Sequence, residues 1–209
     1  MIIPADIHTH CQPEVPGEAI VNCFPETFVP QLEGWYSVGI HPWYITSSTV
    51  SLAEKKRCLE ELLYHPQGLA MGEAGLASLP LQREVFEYQA RLAEETDKPL
   101  VIHLVKAVDE LLKLKQKIRP VKPWIIHGFR GKAVLAEEYL RHGFHLSFGE
   151  RYQEEALRIV PSDRLFLETD ESMTSIDTLY ERAAMIRKIP SGELRETVRK
   201  NVEEIFFRR

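Results

Sequence analysis

The chain has 209 residues, 44% hydrophobic and 27% charged. These are ordinary globular proportions, and they exclude a disordered chain, a collagen-like fibre and a disulfide-rich scaffold. Lysine and arginine total 26 against 31 aspartate and glutamate, a formal net charge of −5, so the chain lacks the basic field of a general nucleic-acid coat, although it can still grip a few phosphates locally.

The first ten residues read MIIPADIHTH, without the charged start and long apolar stretch of a signal peptide. No run approaches the roughly 18–20 apolar residues of a membrane span. Cys11, Cys23 and Cys58 form no C-x-x-C pair. That argues against a disulfide framework or a zinc ribbon and predicts a reducing, cytoplasmic setting. The length predicts a single domain over 1–209.

Short apolar runs bounded by Pro, Gly or charge predict buried strands at 2–7, 19–24, 35–40, 68–71, 100–103, 124–127, 144–148 and 165–167. The first three are close together. Connections of about a dozen residues are near the minimum for a parallel crossover, so loops rather than full helices are expected after strands 1 and 2. Helical spacing of apolar residues predicts helices at 51–65, 81–95, 108–115, 133–142, 153–160 and 178–188. A closing helix at 193–207 is expected, with Ser191 as N-cap. Strands alternating with helices predict an α/β fold, a somewhat distorted (β/α)8 TIM barrel. An open doubly wound sheet is the alternative.

Chemistry concentrates at the C-terminal ends of these runs, the face where a barrel carries its active site. Strand 1 ends in His8-Thr9-His10, strand 3 in His41, strand 5 in His103, strand 6 in His127 and strand 8 in Glu168-Thr169-Asp170; Glu73 follows strand 4. The period of two points His8 and His10 to one side, where two imidazoles can chelate one ion. Together with Glu73 and Asp170 the four histidines form a mixed nitrogen and oxygen set suited to borderline divalent metals. Six ligands are too many for one catalytic ion that keeps an open position. They suit two ions with a bridging carboxylate, an arrangement fitted to phosphoester hydrolysis.

The segments DIHTH (6–10), GIHPW (39–43), GEAGL (72–76), PLVIH (99–103), WIIHGF (124–129), GFHLSFG (143–149) and LFLETD (165–170) resemble, in order and context, the TatD family of metal-dependent hydrolases. The resemblance covers nearly the whole chain to about residue 170. It implies a metal-dependent deoxyribonuclease using two divalent ions (Zn, Mn, Ni, Fe or Mg) on DNA or a small phosphoester, with no membrane and no obligate protein partner. By motif, His8, His10 and Asp170 would bind the first ion. Glu73 would bridge to a second ion held by His103 and His127. Asp170 would also act as base, and His41 would face the substrate. The chain departs from the family pattern at Ala77, Val105, Arg130 and Glu171. Arg130 is expected to contact phosphate in place of the missing arginine, with Lys106 a weaker second. Two alternatives stand beside this reading. One is a barrel hydrolase acting on a small amide, lactone or phosphoester. The other is a catalytically silent metal-binding interaction protein.

Other residues are expected to be structural. Asp6 is read as support for the ligands, and His65, His142 and His145 as packing or capping groups. Cys11 is read as a small buried side chain, and the Lys55-Lys56-Arg57 run as a solvated helix face. Trp35, Trp43 and Trp124 are expected to pack the core and rim, with Trp43 placed to line the pocket.

Overall fold

The computed structural model describes residues 2–30, 33–45, 50–77 and 79–208. Eight strands form one parallel sheet in chain order: β1 (Asp6–Thr9), β2 (Ala19–Cys23), β3 (Trp35–Val38), β4 (Gly68–Leu76), β5 (Leu100–Leu104), β6 (Trp124–Ile126), β7 (His145–Phe148) and β8 (Leu165–Leu167). The seam is closed at one point. Asp170 N donates to His8 O at 2.9 Å and His10 N donates to Asp170 O at 3.0 Å, which makes the sheet a nearly closed (β/α)8 TIM barrel. Two of the expected metal-site strand ends are therefore stitched to each other by backbone bonds.

Among the described residues no helix separates β1, β2 and β3, as the short spacing predicts. After β3 comes a single 3-10 turn, Pro42–Tyr44, and then α1 (Leu52–Tyr64), whose N-cap Ser51 accepts from Glu54 N. The remaining crossovers are α2 (Pro80–Glu95), α3 (Val108–Ile118), α4 (Ala133–Arg141), α5 (Glu154–Ile159) and α6 (Ile176–Arg187). The chain closes with α7 (Ser191–Val202) and a π-helical turn, Glu203–Phe207. Ser191 is the first helical residue and Pro190 takes the cap position, because proline's fixed φ suits a helix entry. No helix among the described residues is long and apolar enough to cross a membrane.

Strand β4 runs five residues beyond its expected end, and all nine of its residues are buried. The GEAGL segment is poor in β-formers, so its extended state reflects pairing with β5, through Ala74, Gly75 and Leu76, rather than propensity. Lys55 is not on a solvated face. It is fully buried, with Nζ 3.1 Å from Glu26 Oε1. The helical period places it on the same inward face as Leu59 and Leu63, and the glutamate compensates the ammonium. Cys11 is exposed, since it lies just past the seam rather than inside it.

The histidines read as structural do sit outside the barrel mouth. His65 ends α1, and its Nδ1 accepts from Gln67 N at 3.3 Å. His142 ends α4 within 3.1 Å of Glu138. His145 opens β7 at the opposite end of the barrel and is buried. Burial, reinforced by Arg164 and Lys115 and opposed by Asp163, pushes its pKa down to about 4. Its ordinary pKa is about 6.5, so at higher pH the ring is neutral both folded and unfolded. Between about 6.5 and 4 the unfolded chain binds a proton that the folded chain refuses, so stability is lost as the pH drops through that window. The expected loss across that window is about 3 kcal/mol. A His145→Gln variant should show a shallower stability–pH curve there by urea denaturation. An identical curve would refute this assignment.

Candidate metal centre

The mouth of the barrel gathers side chains from five strand ends. His8 and His10 come from β1 and the residue beyond it, Glu73 from β4 and His103 from β5, while His127 follows β6 and Asp170 closes the seam to β1. All six expected ligand residues converge, and their donor atoms fall into groups within 4.8 Å.

Glu73 divides the set. Its Oε2 lies 3.5 Å from His10 Nε2 and 3.8 Å from His8 Nε2. Asp170 Oδ1 lies 3.6 Å and 3.8 Å from the same two nitrogens. On the other side, Glu73 Oε1 lies 2.6 Å from His103 Nδ1 and 3.0 Å from His127 Nε2, and those two nitrogens are 3.1 Å apart. Donors bound to one zinc-like ion at about 2.0–2.2 Å cannot be more than about 4.4 Å apart. Every separation just given satisfies that limit.

His8 supplies an independent test of fit. It is buried, and neither Nδ1 nor Nε2 has a hydrogen-bond partner among the described residues. Burial pushes its pKa down to about 3, with His127 adding to the effect, so the ring is held neutral with a lone pair available. Leaving such a ring unsatisfied is costly, and the donor set around it is one that a divalent cation satisfies. Glu73 stays ionised despite its burial, because His10, His103 and His127 hold its carboxyl far below the usual range. Burial raises the Asp170 pKa. Asp170 is also the more accessible carboxylate of the two, its side chain 25% exposed against 6% for Glu73.

His41 is buried, with Nε2 3.7 Å from Glu73 Oε1, and thus lies within reach of the same group of donors. Two glycines make this approach possible. A Cβ on Gly75 would stand 1.8 Å from Pro42 Cδ, and one on Gly39 would stand 2.7 Å from Glu73 O. The His41-Pro42 corner can therefore lie directly on β4. Arg130 is exposed and lines a groove of about 370 Å³ that leads out from His103, His127 and Asp170 past Val105. Lys106, also exposed, occupies the left-handed turn after β5 with φ 51° and does not line that groove.

Sequence reasoning missed two supporting residues. Glu168 is buried, with Oε1 3.2 Å from His127 Nδ1, and it accepts from Gly128 N at 2.6 Å. A carboxylate on Nδ1 orients the ring and leaves Nε2 for ligation. Asn22 on β2 accepts from Glu73 N at 2.7 Å and places Nδ2 3.5 Å from Oε2. Its signal was present as a lone amide in the apolar run AIVNC. Asp6, expected as support, accepts from His8 N at 3.2 Å and from Thr169 N and Oγ1 at 3.1 and 2.6 Å. It ties the two seam strands together behind the ligands, and burial raises its pKa to about 7.

Comparison with known proteins gives the family. The family model described as TatD related DNase matches residues 29–207. The chain is 32% identical over 181 residues to the human 3′-5′ RNA nuclease TATDN2, covering 78% of this chain and 23% of that protein. It is 30% identical over 178 residues to the 3′-5′ ssDNA/RNA exonuclease TatD of Klebsiella pneumoniae, covering 75% of this chain and 64% of that one. An uncharacterised metal-dependent hydrolase of Bacillus subtilis, YabD, is 31% identical over 142 residues, or 61% of this chain and 56% of that protein. The chain thus spans less than two thirds of the length of each of these relatives. The crystal structure of the TatD homologue YJJV from Escherichia coli superposes with a TM-score of 0.76 over all of both chains at 19% identity, a likeness of fold. With a family model covering most of its length and the strand-end donors gathered at one mouth, the chain belongs to the TatD-related DNase family.

Proposed function

We propose that this chain is a metal-dependent phosphodiesterase acting on single-stranded DNA or RNA. The observation that carries the reading is the division at Glu73. One carboxylate oxygen faces His8 and His10 and the other faces His103 and His127, a disposition suited to two ions sharing a bridge. The names of the relatives support the reading, YabD for the metal dependence and the two nucleases for the nucleic-acid substrate. The histidine-rich set favours Zn, Mn, Ni or Fe over an all-oxygen magnesium site.

Bound divalent ions would supply Lewis-acid activation of water and of a phosphoryl oxygen. The protein supplies the rest. His8, His10 and Asp170 would hold one ion and His103 and His127 the other, with Glu73 shared between them. Asp170 stands at the rim with its proton affinity raised by burial, placed to orient the attacking water and accept its proton. Glu168, Asn22 and Asp6 fix the ligands. The three unpaired cysteines, one of them exposed, support a reducing, cytoplasmic location.

The test is a substrate panel on metal-loaded protein: single-stranded DNA, RNA, duplex DNA, and small esters and amides. Cleavage of single strands above all others is expected, and turnover confined to small amides or lactones would overturn the proposal. Within that panel Arg130→Ala should weaken oligonucleotide affinity about tenfold, through loss of a charge-assisted phosphate bond. Unchanged KM and turnover would remove Arg130 from the substrate path.

A further inference from the structure

We propose that Trp43 is the stacking platform for a nucleobase of the bound single strand, beside the phosphodiester held at the metal centre. This rests on the nuclease reading above and adds the residue that would recognise the base. Trp43 was expected to pack at the core or rim, placed to line the pocket; unlike the buried Trp124 it stands at the rim, 69% exposed. The indole is an amphipathic aromatic surface placed beside the ligand side chains, of the kind on which a base can stack.

The backbone sets the place of that indole. Trp43 sits in the 3-10 turn Pro42–Tyr44, its N donating to His41 Nδ1 at 3.3 Å. Pro42 is seated on the Cβ-less Gly75 of β4. The ring lies 5.0 Å from His41 and 6.3 Å from His103, steeply inclined to both at 84° and 71°. It therefore borders the Glu73 Oε1 side of the centre without filling it. Tyr44 continues this wall, packed edge-on to Phe24 at 5.0 Å, and Phe24 lies 6.3 Å from His10. An aromatic arc thus follows one side of the mouth from His10 to His103.

Arg130 follows β6, three strands round the barrel from β3. A single strand crossing the mouth would meet aromatic surface on one side and a guanidinium on the other. Those are the two components of sequence-tolerant single-strand binding, since every base has a π-face and every linkage a charge. Bases in an intact duplex are already stacked and paired, so the platform also selects single-stranded or frayed ends.

The experiment compares wild type, Trp43→Phe and Trp43→Ala, all metal-loaded, on a single-stranded oligonucleotide and on a series in which one abasic residue is stepped along it. One abasic position should cost the wild type about tenfold in kcat/KM. Trp43→Ala should lose the same tenfold on the intact strand, mainly in KM, and lose nothing further at that abasic position. Trp43→Phe should keep most of the wild-type affinity. The indole is exposed, so the substitutions leave the core untouched. A Trp43→Ala enzyme that cleaves the intact strand normally and retains the wild-type abasic penalty overturns the platform while leaving the nuclease reading in place. Failure of the wild type to cleave any oligonucleotide overturns the nuclease reading and the platform with it.

Discussion

Glu73→Gln lowers phosphodiester turnover of the metal-loaded protein by about a thousand-fold, the scale of losing a preorganised electrostatic group at a reaction centre. The substitution keeps the shape and removes the charge. Only one oxygen remains, so one of the two imidazole sets loses its shared ligand and faces an amide nitrogen instead. Asn22 holds the backbone at this residue through the bond from Glu73 N to its Oδ1, so the side chain should stay in place and the loss should be chemical. Steady-state kinetics and ion counting by elemental analysis on the same sample check both halves. Turnover should collapse and bound metal should fall. A Glu73→Gln enzyme with full turnover and unchanged metal content would show that the carboxylate bridges nothing.

Stripping metal with a chelator should abolish turnover and also lower thermal stability. The stability effect arises because ions that bind only the folded chain stabilise it by mass action, about 3 kcal/mol at a hundredfold their Kd. For a chain of this size that corresponds to a fall of roughly 5–10 °C in Tm. The unpartnered nitrogens of buried His8 are the physical source, since without a cation the ring keeps its desolvation cost and gains nothing in return. Calorimetry before and after chelation measures the shift, and re-addition of Mn or Zn should restore both melting temperature and activity. Activity that survives rigorous metal removal would end the metal-dependent mechanism. Anomalous scattering from metal-loaded crystals would count the ions and identify them.

The two substitutions probe different layers of one arrangement. Glu73 lies among the ligand side chains, whereas Trp43 borders His41 and His103 at the rim. A large kcat loss in the first and a KM-weighted loss in the second would separate chemistry from recognition. Both outcomes depend on β4 remaining extended past its glycines, because Glu73 and the seat for Pro42 lie on the same stretch of that strand.

The barrel and its ligand face were legible in the amino-acid order because they rest on local rules. Buried parallel strands read as short apolar runs, and a residue at the end of such a run must emerge at the strand's C-terminal edge. That logic located His8, His10, Glu73, His103, His127 and Asp170 without coordinates, and it placed loops where the first three strands crowd together. What required the tertiary structure was everything set by neighbours distant in sequence. Lys55 is buried because Glu26 comes to meet it, and β4 extends through GEAGL because β5 pairs with it. Glu168 and Asn22 act only through the side chains they orient, 41 and 51 residues away along the chain. Trp43 is a rim residue rather than a core one because a glycine on another strand lets its turn lie flat against the sheet. Pattern along a chain reports which groups emerge on which face. Which of them touch, and at what distance, is decided by closure of the sheet, whose contacts carry no local signature.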